Sequence, residues 1–285
     1  MDNAYAPSGR PSLARKFLFA VGKACTRPRS TVSWVIRGHL AKDSVFVSQS
    51  YWVAGALPRV PLQTACPGVQ DFDVQLPRAF DRTSGKTASI TVDEACHLAA
   101  IARWSRARKA LEIGTSDGNS SLVLAANMVT GATVVTLDLP AHFDISQQAS
   151  LAFPTGELNL TPRDRLGGQC ARHPLGRRVR QVFGDSGSID WNALGGPFDL
   201  VFIDGSHTEE YVRSDSLNAA RHLVPAGVIV WHDYGMIADV SMVVDQLARE
   251  WPAMRIYAIE GTRLAVALPA PAHRRVRPPG TRATP

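Results

Sequence analysis

Lys109-Ala110-Leu111-Glu112-Ile113-Gly114-Thr115-Ser116-Asp117-Gly118-Asn119-Ser120-Ser121, followed by Val134-Val135-Thr136-Leu137-Asp138, is the stretch that decides the fold. An apolar run carries an acidic residue near its end, a turn holds two glycines four positions apart, an amphipathic segment follows, and a second apolar run stops at an aspartate. The pattern predicts a strand, a tight turn, a helix and a strand that together hold a nucleoside. Glycine lets the backbone turn sharply and lets a ligand approach without a Cβ in the way. Asp138 falls at the carboxyl end of the second strand, where ribose hydroxyls are gripped in folds of this kind. The turn lacks the dinucleotide fingerprint, which needs a second glycine where Ser116 stands so that a pyrophosphate can rest on the helix N-terminus. A ligand with ribose hydroxyls and a zwitterionic tail, but no pyrophosphate, suits Glu112, Gly114, Gly118 and Asp138 better.

Outward from this unit, strand-length apolar runs recur at 109–114, 133–138, 179–184, 199–204, 227–232, 255–260 and 263–268. Helical spacing separates them, after Gly118, from Glu209 to Leu223 and from Val240 to Trp251. Upstream, Thr91 with Glu94 three residues on reads as a capping box for a helix running to Trp104. Alternating strands and helices predict an α/β, doubly wound, mostly parallel seven-stranded sheet. Only Gly261 and Thr262 join the last two strands, so these form an antiparallel hairpin. The domain then spans 86–268. Residues 1–85, rich in proline and glycine and without a sustained period, read as an N-terminal extension with a few short helices, a lid or oligomerisation element; 269–285 read as a disordered basic tail. Forty residues separate Asp138 from Val179, more than a crossover helix needs, and a loop of that length suits a lid or a mobile surface excursion.

With 285 residues and 45% hydrophobic content the chain can bury one good-sized core. The net charge of +6 belongs to the ends: residues 1–60 set nine Lys/Arg against Asp2 and Asp43, and the tail adds Arg274, Arg275, Arg277 and Arg282. Nucleic acid is not an expected partner, because the basic charge lies away from the domain body. Contact of the basic N-terminus with a membrane surface stays open, whereas the run from Leu13 to Val21 is too short and too charged to span a bilayer. Cys25, Cys66, Cys96 and Cys170 show neither metal-ligand nor redox-pair spacing, which fits free or buried thiols in a reducing cytoplasm.

Ionisable residues cluster where three further strands end. Asp185 follows Val179–Phe183 through Gly184, on the rim where the base of a nucleoside would lie. The run Phe198–Ile203 ends in Asp204-Gly205-Ser206-His207, and Val228–Trp231 ends in His232-Asp233-Tyr234. A carboxylate just beyond a strand buried on both faces is costly unless it is hydrogen-bonded or bound to a cation. Asp204 and Asp233 beside two histidines suit Mg²⁺ or Mn²⁺, or a softer metal given His232. The plainer alternative makes Asp204 the cap of the following helix and His232 a core side chain.

These residues resemble the class I S-adenosylmethionine-dependent methyltransferases, and within them the macrocin and mycinamicin sugar O-methyltransferases and the cephalosporin-hydroxylase-like proteins. The resemblance covers about residues 88–268 and rests on Glu112-Ile-Gly-Thr-Ser-Asp-Gly-Asn-Ser120, Gly184-Asp185-Ser186, Asp204-Gly-Ser-His207 and His232-Asp233. It implies S-adenosylmethionine as cofactor, contacted by Glu112, Gly114, Ser116, Gly118, Ser120, Asp138, Asp185 and Asp204. It also implies that Asp204 is a metal ligand, with a catalytic role, and that His207 is the general base. The group's next strand ends Glu-Asp, both ligands; here it ends His232-Asp233, so Asp233 carries over and His232 is a changed ligand or none.

The expected acceptor is a small-molecule hydroxyl on a sugar, polyketide or glycoside, in a cytoplasmic homo-oligomer. His207, at an unperturbed pKa near 6.5, would take its proton at neutral pH. Two other functions remain open: a nucleotide-linked oxidoreductase, which Ser116 disfavours, and a cofactor-binding protein without turnover, towards which His232 leans.

Overall fold

A computed structural model describes residues 55–71, 73–77, 90–140, 143 and 165–270. Most of the N-terminal extension, most of the long connection after Asp138, and the tail from residue 271 lie outside the described residues. The proposed lid, oligomerisation, membrane-surface and disordered-tail roles lie there too. No helix among the described residues is long and apolar enough to cross a membrane.

The sheet is built from β1 (Arg59–Val60), β2 (Lys109–Ile113), β3 (Thr133–Asp138), β4 (Val179–Phe183), β5 (Phe198–Ile203), β6 (Leu223–Trp231), β7 (Met254–Ile259) and β8 (Ala265–Pro269), in the order β1-β7-β8-β6-β5-β2-β3-β4. All neighbours are parallel except β8, which runs antiparallel to both β6 and β7. The expected C-terminal hairpin is therefore present. The expected count of seven falls short by one. β1 pairs with the outer edge of β7, where Ala258 and Glu260 donate N–H groups to the carbonyls of Pro58 and Val60. Two residues between Pro58 and Pro61 carry no period to read, and proline is tolerated there because the strand lies at an edge.

Among the described residues six α-helices accompany the strands: α1 (Leu62–Ala65), α2 (Val92–Trp104), α3 (Asn119–Asn127), α4 (Gly168–Arg172), α5 (Glu209–Arg221) and α6 (Ala238–Glu250). Side chains alternate faces along each strand, so the sheet feeds two cores. Ala110, Leu200, Phe202, Val228 and Val230 pack with Leu98 and Ile101 of α2 and Leu124 of α3. Leu111, Ile113, Val201, Ile203 and Ile229 pack with Val212 of α5 and Val243, Val244 and Leu247 of α6. This is why the central strands read as nearly continuous apolar runs.

Candidate active site

The turn after β2 is shaped by contacts within the chain. Gly114 adopts φ +97°, and a Cβ there would lie 2.1 Å from the backbone oxygen of Asp204; at Gly118, φ +93°, it would lie 2.7 Å from Cys170 Sγ. Close packing within the chain is thus one reason for glycine at these two positions, beside the ligand approach expected from the sequence. Their missing Cβ atoms let the end of β5 and helix α4 close against the turn. Gly167 and Gln169 donate N–H groups to the carbonyls of Ser116 and Asp117, so α4 lies along the turn.

Asp138 reaches this turn from the end of β3. Its Oδ2 accepts the Ser116 N–H at 2.8 Å and its Oδ1 the Leu139 N–H at 2.7 Å. Ser116 itself has a left-handed backbone, φ +47°. Burial raises the Asp138 pKa against the backbone hydrogen bonds that lower it. Glu112 points inward instead. It is fully buried, and Ser121 Oγ and Thr136 Oγ1 donate to its Oε2, the latter at 2.6 Å. Burial pushes its carboxyl up to about 7, against hydrogen bonds from Ser120, Ser121 and Thr136. Ser120 is likewise buried. Thus Glu112 and Ser120 tie β2, α3 and β3 together beneath the turn. Two buried acceptors nearby, Glu112 Oε1 and Asn119 Oδ1, have no protein partner. Asp185 closes its own turn, its Oδ1 accepting the Gly187 N–H at 2.9 Å.

The other half of the rim is a charged cluster. His232 is buried, with Nδ1 2.9 Å from Asp204 Oδ1 and Nε2 3.3 Å from Glu94 Oε2. Its ring stands edge-on to Phe202, with centroids 6.3 Å apart. His207 Nε2 lies 3.1 Å from Asp233 Oδ2 and 3.9 Å from Asp204 Oδ1. Asp233 holds a left-handed backbone, φ +58°, an uncommon conformation for a residue other than glycine and one that collects at functional sites. The plainer alternatives fare unevenly. His232 is indeed a buried side chain, but one set between two carboxylates. Asp204 faces it, whereas α5 is capped by Thr208, whose hydroxyl accepts the Tyr211 N–H.

Two members of the cluster had no functional signal in the sequence. Glu94 forms the expected capping box, but its carboxylate also takes both arms of Arg263: Nε to Oε1 and Nη2 to Oε2, each at 2.8 Å. Arg263 Nη1 then reaches Asp233 Oδ1 at 2.9 Å. A charged residue leading an otherwise apolar run, Leu264–Leu268, was the available hint. Behind the cluster, Tyr234 donates to Asp245 at 2.6 Å and accepts the Leu57 N–H, which fixes the chain before β1 to the turn after β6.

Burial opposes charge on every one of these groups, and their partners overcome it. Glu94, Asp204 and Asp233 are held below the usual carboxylate range by the histidines, and Glu94 by Arg263 as well. His207 is raised to about 10 by Asp204 and Asp233, and His232 is raised well above its ordinary value by the same pair. The expectation of a His207 with an unperturbed pKa is therefore corrected: two carboxylates favour its protonated form.

Ligand atoms of Asp204, His232 and Asp233 all lie within 4.8 Å of one another, as a shared cation would require. Several of these atoms already face partners within the chain. Asp233 Oδ1 faces the Arg263 guanidinium, Asp233 Oδ2 faces His207, and His232 Nδ1 faces Asp204. A donor set that already holds an internal cation does not fit a divalent ion.

Residues 111–234 match a family model described as a methyltransferase domain. Over these residues the chain is similar to a methyltransferase domain. The cofactor-bound structure of Rv0187 from MTB is 25% identical, with a TM-score of 0.50 over 73% of this chain and 89% of that one. TomG from Streptomyces achromogenes, an O-methyltransferase solved with SAM, shares the fold at 17% identity and a TM-score of 0.50, covering 73% of this chain and 96% of that one. Among sequences, the O-methyltransferase ankF of Aspergillus thermomutatus is 29% identical over 157 residues, 53% of this chain and 56% of its own. A protein of Mycobacterium sp. (strain JLS) named as an O-methyltransferase is 28% identical over 156 residues, 54% of this chain and 60% of its own. The chain thus spans less than two thirds of the length of these curated relatives.

Proposed function

We propose that the protein transfers a methyl group from S-adenosylmethionine to a hydroxyl of a small molecule. The observation that carries this reading is the rim itself: Asp138 set against the turn after β2, and His207 held against Asp233 at the ends of β5 and β6. The O-methyltransferase names of the relatives support the type of reaction.

Bound at the turn, the cofactor would supply a sulfonium methyl that needs no further activation. Asp138 keeps acceptor capacity for ribose hydroxyls beyond the two N–H groups it already binds. Glu112 Oε1 and Asn119 Oδ1, both buried without a protein partner, are suited to a donor such as an ammonium group. His207, in its neutral form, would take the proton of the acceptor hydroxyl as that oxygen accepts the methyl group. Asp233 and Asp204 orient that imidazole and stabilise it once charged. Alignment of acceptor and methyl contributes about 7–11 kcal/mol in favourable cases, more than the roughly 10²–10⁴-fold of a general base. Rim geometry is therefore the larger share.

Calorimetry with S-adenosylmethionine and NAD tests the cofactor, and transfer of labelled methyl to a panel of glycosides and polyketides tests the acceptor. Tighter binding of NAD would replace this reading with an oxidoreductase. Cofactor binding with no transfer across the panel would favour the binding protein without turnover.

A further inference from the structure

Arg263 is the one arginine shown here bridging two buried carboxylates, and its geometry is that of a built site. The guanidinium is 5% exposed. It clamps Glu94 with two parallel hydrogen bonds, and its own backbone N–H adds a third at 2.9 Å. The remaining arm reaches Asp233. A forked, bidentate pair of this kind fixes orientation as well as charge, which a lysine ammonium cannot do. Glu94 is itself anchored by the Thr91 N–H at 2.7 Å and so cannot swing away. The chain therefore delivers a covalently attached cation to the carboxylate that ends β6.

We propose that Arg263, locked by Glu94, is the resident cation of this rim and takes the place of the divalent ion that the resemblance puts against Asp233. The inference rests on the methyltransferase reading for its chemistry, not for its geometry. Arg263 is a positioning residue: it holds Asp233, and Asp233 holds His207. A guanidinium stays charged at any pH the fold survives and cannot be removed by a chelator. A divalent ion in contact with Asp233 would meet that charge at close range in a poorly solvated setting, where like charges repel strongly.

Manganese binding, read by the loss of the free Mn²⁺ electron paramagnetic resonance signal, tests this without an acceptor. The wild-type protein is expected to leave Mn²⁺ free at millimolar concentration. Glu94→Gln/Arg263→Met, which removes the pair together and keeps the net charge unchanged, is expected to take up about one Mn²⁺, with uptake abolished by adding Asp233→Asn. Wild-type uptake that Asp204→Asn abolishes would overturn the proposal. If the folded double variant also binds none, Arg263 is not what keeps metal out, and the proposal fails equally. Should the double variant not fold, Arg263→Lys decides: a retained charge predicts no Mn²⁺ uptake, and uptake overturns the idea. Calorimetry with S-adenosylmethionine on the same wild-type preparation separates the two readings, since lost cofactor binding would sink the methyltransferase assignment and leave the manganese result standing.

Discussion

The two halves of the rim differ in how the chain assembles them. The side chains of the cofactor half come from one stretch, residues 112–138, and their contacts span at most 24 residues: Ser116 to Asp138, Glu112 to Ser121 and Thr136. The reacting half gathers Glu94, Asp204, Asp233 and Arg263 from four separate elements, with Glu94 and Arg263 169 residues apart. A local site is held by backbone geometry. A gathered site is held by charge balance. The first tolerates loss of a single side chain but not of a glycine, whereas the second depends on every member to keep the others paired.

The largest expected effect therefore lies in the backbone of the local half. Gly114→Val adds a branched side chain at φ +97° and drives its Cβ into the Asp204 carbonyl. Left-handed strain and a backbone clash together should cost on the order of 3 kcal/mol or more, shown by urea denaturation as a large fall in the midpoint. A variant as stable as wild type would mean that β2 and β5 can separate freely at this end.

In the gathered half, His207→Ala should lower turnover by roughly 10²–10⁴-fold while cofactor affinity stays near wild type. If turnover falls only as far as the folded fraction does, His207 is structural and the base lies elsewhere, with His232 the next candidate. The same residue sets the pH response. Asp204 and Asp233 raise its pKa to about 10, so the neutral imidazole that accepts a proton grows scarcer as pH falls. Turnover should then climb by up to about tenfold per unit between pH 7 and 9. A plateau beginning near pH 6.5 would show that the two carboxylates do not hold the proton on this histidine.

Legibility in the sequence follows the same division. The turn, the strands and the hairpin could be read because period and glycine spacing are local properties. Asp204, His207, His232 and Asp233 could be located because they follow apolar runs, and the structure does bring all four together. Their electrostatics could not be read, since these depend on Glu94 and Arg263, one visible only as a helix cap and the other only as the start of a strand. Nor could direction within the first half be read. Glu112 sits in a strand, and whether it faces the cleft or the interior depends on Ser121 and Thr136 arriving beneath it. β1 was invisible for a third reason, because an edge pairing of two residues uses backbone groups alone.

A smaller effect separates ligand binding from loop support. Asp138→Ala should weaken S-adenosylmethionine binding by about 1–3 kcal/mol, seen by calorimetry as a roughly fivefold or greater rise in Kd. Asp138→Asn keeps an acceptor for the Ser116 N–H and should lose less. If both variants lose equally, the charge on Asp138 matters, and not only its hold on the turn.

The smallest effect contrasts His207 with the residue beside it. Thr208 caps α5 through a 3.4 Å contact to the Tyr211 N–H, and it is buried while His207 is partly open. An N-cap threonine contributes about 0.5–2 kcal/mol, and a contact this long belongs at the lower end of that range. Thr208→Ala should thus lower stability by about 0.5–1 kcal/mol in urea denaturation and leave turnover per folded molecule unchanged. His207→Ala should instead lower turnover far more than it lowers the folded fraction. The two histidine-loop neighbours then assign cap and base to different side chains. A Thr208 variant that loses turnover as steeply as the His207 variant would instead show that helix α5 positions the imidazole, and that the charge pairing with Asp233 is not enough to hold it.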